Sequence, residues 1–105
     1  GRTPDDGRIA WERPAEEIYN LIRGVTRPYP GAFGFCGDKK ILFWRASYSN
    51  GGSNQPGEIT IAGETVLIGT GRGSVYPGEI EVDDRILMGR DLVSFFRRCK
   101  GEQVT

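Results

Sequence analysis

This sequence predicts a mainly β fold with flanking helices, an open β-barrel of the OB-like (oligonucleotide/oligosaccharide-binding) type. Three observations carry that expectation. Helical periodicity occurs only near the two ends of the chain. Between them, short apolar runs alternate with turn residues at intervals of roughly eight to twelve residues. Finally, 16 Gly and 6 Pro in 105 residues supply the turns that short strands need. A chain of this length holds one core, so residues 1–105 read as a single domain. Closing or partly closing the sheet protects strand edges that would otherwise be left unpaired.

The elements follow in order. Thr3-Pro4-Asp5-Asp6-Gly7 has turn chemistry, and Arg8-Ile9-Ala10-Trp11 is a short extended piece. Pro14 suits a first helical position, Glu16 and Glu17 complement the positive pole, and Ile18, Leu21, Ile22 and Val25 make one apolar stripe. Gly24 and the Pro28/Pro30 pair end that helix. Ala32–Cys36 and Ile41–Ala46 flank Gly37-Asp38-Lys39-Lys40 as a β-hairpin, and residues 49–56 form a polar loop. Glu58–Ile61 and Thr65–Ile68 are the next strands. After Gly71-Arg72-Gly73, the apolar residues around Val75-Tyr76 and Ile80–Val82 predict a further pair. Asp83-Asp84 leads to Ile86–Met88. A last helix then turns Leu92, Val93, Phe95, Phe96 and Cys99 inward, with Arg97, Arg98 and Lys100 at its negative pole and Gly101 as its stop.

Charge and composition narrow the chemistry. Fourteen basic residues balance fourteen acidic ones, whereas proteins that bind nucleic acid by charge usually carry a basic excess. There is no histidine, which removes Ser-His-Asp, Cys-His and most zinc chemistries. Cys36 and Cys99 have neither CxxC nor Cys/His spacing; a single disulfide is open to them, but they read first as two reduced, partly buried thiols. No stretch reaches the length of a membrane span and no signal-peptide pattern is present, so the expectation is a cytoplasmic protein without membrane contact. The polar, charged opening reads as a fragment cut at a domain boundary.

Most candidate sites have a structural explanation. Gly69–Gly73 lacks the Lys-Ser/Thr and the following helix of a phosphate loop and reads as a hairpin turn. Asp83 and Asp84 are adjacent in a turn, with no third acidic ligand nearby. Arg97, Arg98 and Lys100 are accounted for by the helix pole, though with Arg2, Arg8, Arg23, Arg27, Lys39 and Lys40 they could still build a basic face. Among Phe33, Phe35, Phe43, Trp44 and Tyr48, about half must face the core; Trp44 is retained as a candidate for stacking on a base or sugar. Arg2, Asp5 and Asp6 lie in a polar segment suited either to a linker or to reaching a neighbouring domain's active site.

The residues Arg2–Ile9 with Trp11, Pro14–Arg23, Pro28-Tyr29-Pro30-Gly31-Ala32-Phe33, Phe43–Ala46, Pro56–Ile59 and the Gly71-Arg72-Gly73 turn resemble the C-terminal domain of folate-dependent formyltransferases. That family includes methionyl-tRNA formyltransferase, formyltetrahydrofolate dehydrogenase and the UDP-aminosugar formyltransferases. The resemblance implies an open-barrel domain that follows a Rossmann-like, N-terminal catalytic formyltransferase domain. The catalytic Asn, His and Asp and the 10-formyltetrahydrofolate belong to that preceding domain. No catalytic residue, metal or cofactor is therefore carried onto this chain. The implied role is non-catalytic: assisting acceptor binding while the parent transfers a formyl group to a primary amine. Thr3–Gly7 and Pro28–Phe33 look most like the aminosugar enzymes, which favours an aminosugar nucleotide as acceptor over methionyl-tRNA, whereas Arg85–Phe96 looks equally like the dehydrogenase branch. The competing expectation is a stand-alone OB-like module for tRNA, single-stranded nucleic acid or sugar, and a third is a purely structural or oligomerising domain.

Overall fold

The computed structural model describes residues 7–25, 30–52, 54–99 and 103–105. The predicted order of elements is found. Helix α1 (Ala15–Gly24) precedes strands β1 (Ala32–Cys36), β2 (Lys39–Ser49), β3 (Ile59–Ala62), β4 (Thr65–Gly69), β5 (Ser74–Val82) and β6 (Arg85–Leu87), and helix α2 (Gly89–Cys99) follows. Pro14 caps α1 with an extended backbone, Glu16 and Glu17 occupy its first turn, and Ala15, Ile18 and Ile22 are buried along one stripe. In α2 the five residues expected to face inward are the buried ones.

All strand pairs are antiparallel, in the order β1-β2-β5-β4-β3, with β6 added to β5. No ladder joins β1 to β3 among the described residues, so strand pairing builds an open sheet rather than a closed barrel. One face of the sheet buries Ile41, Phe43, Ile68, Val75 and Ile80 together with Phe96 of α2. Helix α1 packs on β2 and β5, and α2 on β3, β4 and β5. Among the described residues no helix is long and apolar enough to cross a membrane.

Two expectations are corrected. The residues around Val75-Tyr76 and Ile80–Val82 are one strand, β5, not a pair. Pro77-Gly78 has the look of a turn, but β2 carries irregularities on either side of Arg45, opposite Ala46↔Pro77, which absorb the missing N–H. The turn comes later, at Asp83 and Asp84, whose φ values of 52° and 63° make the left-handed pair of a tight hairpin. The second correction concerns Cys36 and Cys99, which form a disulfide across 63 residues, with their Cα atoms 6.2 Å apart. Local spacing rules could not anticipate it, because the pairing depends on the end of β1 meeting the end of α2.

The outer edge of β1 is covered by the two ends of the chain. Ile9 N–H donates to Phe33 O at 2.9 Å. Phe35 and Thr105 exchange two hydrogen bonds, at 3.0 and 2.8 Å, and Val104 N–H donates to Gly57 O at 2.9 Å. A Cβ at Gly57 would collide with Val104 O, so the terminal segment can seat there only against glycine. Ordering three residues costs roughly 3–6 kcal/mol of backbone entropy. Three hydrogen bonds and burial of Val104 return about 3–6 kcal/mol, leaving the segment near balance without a tether. Nearby, Trp11 packs edge-on against Phe43 at 5.6 Å, and its buried Nε1–H has no hydrogen-bond partner among the described residues.

For a closed loop of this size the chain-entropy model gives about 4 kcal/mol of stabilisation. Replacing both cysteines by serine is expected to lower the melting temperature by at least about 10 °C in a thermal unfolding scan. The unreduced wild-type chain, unfolded in denaturant, is expected to take up no thiol alkylating reagent.

Candidate functional site

Strand alternation separates two faces of the β1–β2 hairpin. Ala32 and Cys36 enter the core, whereas Phe33 and Phe35 belong to the opposite face, with their cross-strand partners Leu42 and Lys40. The two phenyl rings meet edge-on at 6.0 Å. The Arg8 guanidinium stands 4.8 Å from the Phe35 centroid, and Lys40 Nζ stands 4.4 Å from that of Phe33. Cation–π contacts of this kind contribute about 0.5–1 kcal/mol each at exposed sites, and here they hold two cations over an aromatic floor. Trp44 continues the face, and its Nε1–H donates to Glu81 Oε1 at 3.0 Å.

Of the residues picked out in the sequence, Arg2, Asp5 and Asp6 lie outside the described residues. Trp44 is 9% exposed, and Gly31 closes over its ring: a Cβ at Gly31 would stand 2.9 Å from two indole carbons. An open stacking platform is therefore not what Trp44 provides. One edge of it lines a cleft of about 300 Å³ between α1 and β2, with Tyr19, Ile22, Arg23, Arg45 and Ala46. Arg23 stands 5.5 Å from the Tyr19 ring, and Tyr19 leans on Tyr48 at 4.9 Å. Arg45 extends toward Gly78 O and, at 3.9 Å, Glu79. A cleft with two aromatic walls and two guanidinium groups can receive a planar or anionic group.

Arg8 and Arg23 were expected only as members of a possible basic face, and Tyr19, Arg45 and Glu81 were not singled out at all. Period-two alternation through Phe33, Phe35, Lys40 and Leu42 was the available signal for the outer face. Nothing local signalled that α1 would bring Tyr19 and Arg23 against β2.

The remaining candidates are structural. Gly69–Gly73 is the β4–β5 turn, where Thr70 Oγ1 donates toward Arg72 O and Gly73 O at 2.8 and 2.9 Å. Glu17 pairs with Arg13 at 2.8 Å, and that hydrogen bond holds its carboxyl below the usual carboxylate range. Among the described residues no three His, Cys, Asp or Glu side chains are close enough to hold a metal. Arg98 opens, with Arg85 and Lys39, onto a cleft of about 450 Å³ between α2 and the β5–β6 turn; Asp83 and Asp91 share it. There Lys39 pairs with Asp83 at 2.7 Å, and this hydrogen bond raises the ammonium above its ordinary range.

Two outcomes follow. Gly31→Ala, at a φ of +98° and against the Trp44 ring, is expected to cost about 1–3 kcal/mol and to shift Trp44 emission to the red. The Lys39–Asp83 pair adds stability below the ordinary lysine range and loses it as pH rises through the raised value. Lys39→Met is expected to flatten the alkaline limb of a stability–pH profile.

The chain matches solved structures, among them a variant of HypX from Aquifex aeolicus, at a TM-score of 0.67 and 22% identity. That match covers 87% of this chain and 17% of HypX, so it establishes the fold and no more. The family model for the formyl transferase C-terminal domain matches residues 2–97. That span takes in α1, all six strands and nearly the whole of α2, and on it this chain belongs to the formyl transferase C-terminal domain family.

Proposed function

We propose that this chain is a non-catalytic domain of a formyltransferase, which assists acceptor binding by a parent protein that transfers formyl from 10-formyltetrahydrofolate to a primary amine. The observation that carries this reading is the family match over residues 2–97, in a chain with no histidine. Its span of 17% of HypX fits a domain that works within a larger protein. The folate and the acid–base chemistry then belong to an N-terminal catalytic domain, and this domain binds no cofactor of its own. We infer an aminosugar nucleotide as the favoured acceptor and methionyl-tRNA as the second. The equal numbers of acidic and basic residues support that order, because phosphate-rich partners call for a basic excess. An OB-like open barrel is the finer description of the fold we favour. Its support is the terminal segment at 104–105, which reaches both Phe35 on β1 and Gly57 beside β3. Cytoplasmic residence follows from the same reading of the parent.

Arg2, Asp5 and Asp6 are proposed as the contributors to the acceptor site, and Trp44 as a supporting wall through its cleft edge. Gly7 approaches Gly31 so closely that a Cβ there would collide with Gly31 O. Gly7 itself therefore lies beside the segment that covers Trp44.

Incubated alone with 10-formyltetrahydrofolate and a UDP-aminosugar, the purified chain is expected to form no formylated product; turnover would overturn the reading. In the whole parent, Asp5→Ala and Asp6→Ala are expected to raise KM for the acceptor several-fold and leave KM for the folate unchanged. Salt-dependent micromolar binding of tRNA or oligonucleotide by the isolated chain would instead favour the stand-alone module.

A further inference from the structure

Three features meet at residues 103–105. The first is the seat, which two glycines shape. A Cβ at Gly34 would lie 2.9 Å from Thr105 O and 3.3 Å from Val104 Cγ1, and one at Gly57 would collide with Val104 O. The second is the tether. Cys36 is both the residue that bridges Val104 and the partner of Cys99 at the end of α2. Helix α2 packs chiefly on β3, β4 and β5, and the disulfide binds its last residue to β1. The third is Trp11, 4% exposed, whose unpartnered Nε1 lies 3.2 Å from the same Gly34 Cβ position. A cavity of about 430 Å³ lined by Trp11, Pro56, Gln103 and Val104 borders it. Lifting the segment would give that N–H access to water.

We propose that residues 103–105 are a strap over the β1 edge, locked by the Cys36–Cys99 disulfide and released when a dithiol reduces it. The inference is independent of the formyl-transfer reading. In the reducing step a thiolate of the dithiol attacks one Sγ, forms a mixed disulfide and expels the other cysteine as a thiolate. The reagent's second thiol then displaces the first cysteine. Two electrons and two protons pass to Cys36 and Cys99, and the reagent leaves as its own disulfide. Both cysteines are only 5–6% exposed, so attack proceeds through local opening of the strap. Once the tether is cut, three hydrogen bonds and one valine hold the strap against its own ordering entropy, and the Trp11 N–H favours the open side. The β2–β5 ladder keeps its pairing.

The test is amide hydrogen exchange by NMR on the air-oxidised chain and on the same chain in dithiothreitol at one pH. In the oxidised chain Phe35, Val104 and Thr105 are expected to be protected to within about ten-fold of the β2–β5 ladder amides. In the reduced chain they should fall at least about a hundred-fold behind the ladder, with Trp11 emission shifting to the red. The Cys36→Ser/Cys99→Ser double variant should match the reduced chain without any reductant. An unchanged ratio overturns the proposal. So does loss of ladder protection in step with the strap, or a count of two free thiols in the oxidised chain.

Discussion

The β2–β5 ladder is the contact on which everything else in this domain is hung. Strand β5 receives β2 along one side, and β4 and then β6 along the other, so one strand sets the register of three neighbours. Its inward residue Ile80 lies opposite Phe43 of β2, and both, like Val75 and Ile41, are fully buried in the core. Both helices rest on β5, α1 from the β2 side and α2 from the β3–β4 side. A one-residue slip between β2 and β5 would turn both strands' apolar rows to solvent and remove the floor of each helix. The irregularity at Arg45 belongs to this constraint. It lets a proline lie inside the ladder and sends the Arg45 side chain across Gly78, where a Cβ would stand 3.0 Å from its Nη1.

Much of this was legible in the residues, and the losses have a common cause. The stripe through Ile18 and Ile22, the inward row of α2 and the hairpin after Cys36 are local patterns, and they emerge as read, except that Lys39 and Lys40 belong to β2 and leave a two-residue turn. The expected pair around Val75-Tyr76 and Ile80–Val82 is one strand because the irregularity that accommodates Pro77 lies on another strand. The disulfide was missed for the same reason, since its halves are separated by 63 residues. Trp44 shows the limit for function. Its type suggested stacking, but Gly31 and Glu81, which cover and hold it, are near it only in the fold. Arg2, Asp5 and Asp6 lie outside the described residues, so their part in the site rests on the family resemblance and on where Gly7 enters.

The two faces of the β1–β2 hairpin divide the domain's work. The inner face is closed and apolar. The outer face carries Phe33 and Phe35 under two cations, with Glu81 fixed to Trp44 beside them. Phe33 is only 7% exposed and Trp44 9%, so this face offers a partner charge and orientation rather than open aromatic area.

The edge of β1 then joins the two proposals physically. Arg8 and Ile9 occupy it at Phe33, and Thr105 occupies it two residues further on at Phe35. A strand edge left bare is a template for pairing with another chain, and here it is covered by two short pieces rather than by a full strand. The piece at Phe33 is buttressed by Ile9 and Trp11, both sunk in the core. The piece at Phe35 is anchored by one valine and a covalent tether, above an indole donor that the closed state leaves unpaired. The two ends of one edge therefore differ in what holds them: packing fixes the first, and oxidation state fixes the second. In a reducing compartment only the first piece stays down, and the edge at Phe35 becomes available beside the cation-bearing face of the hairpin.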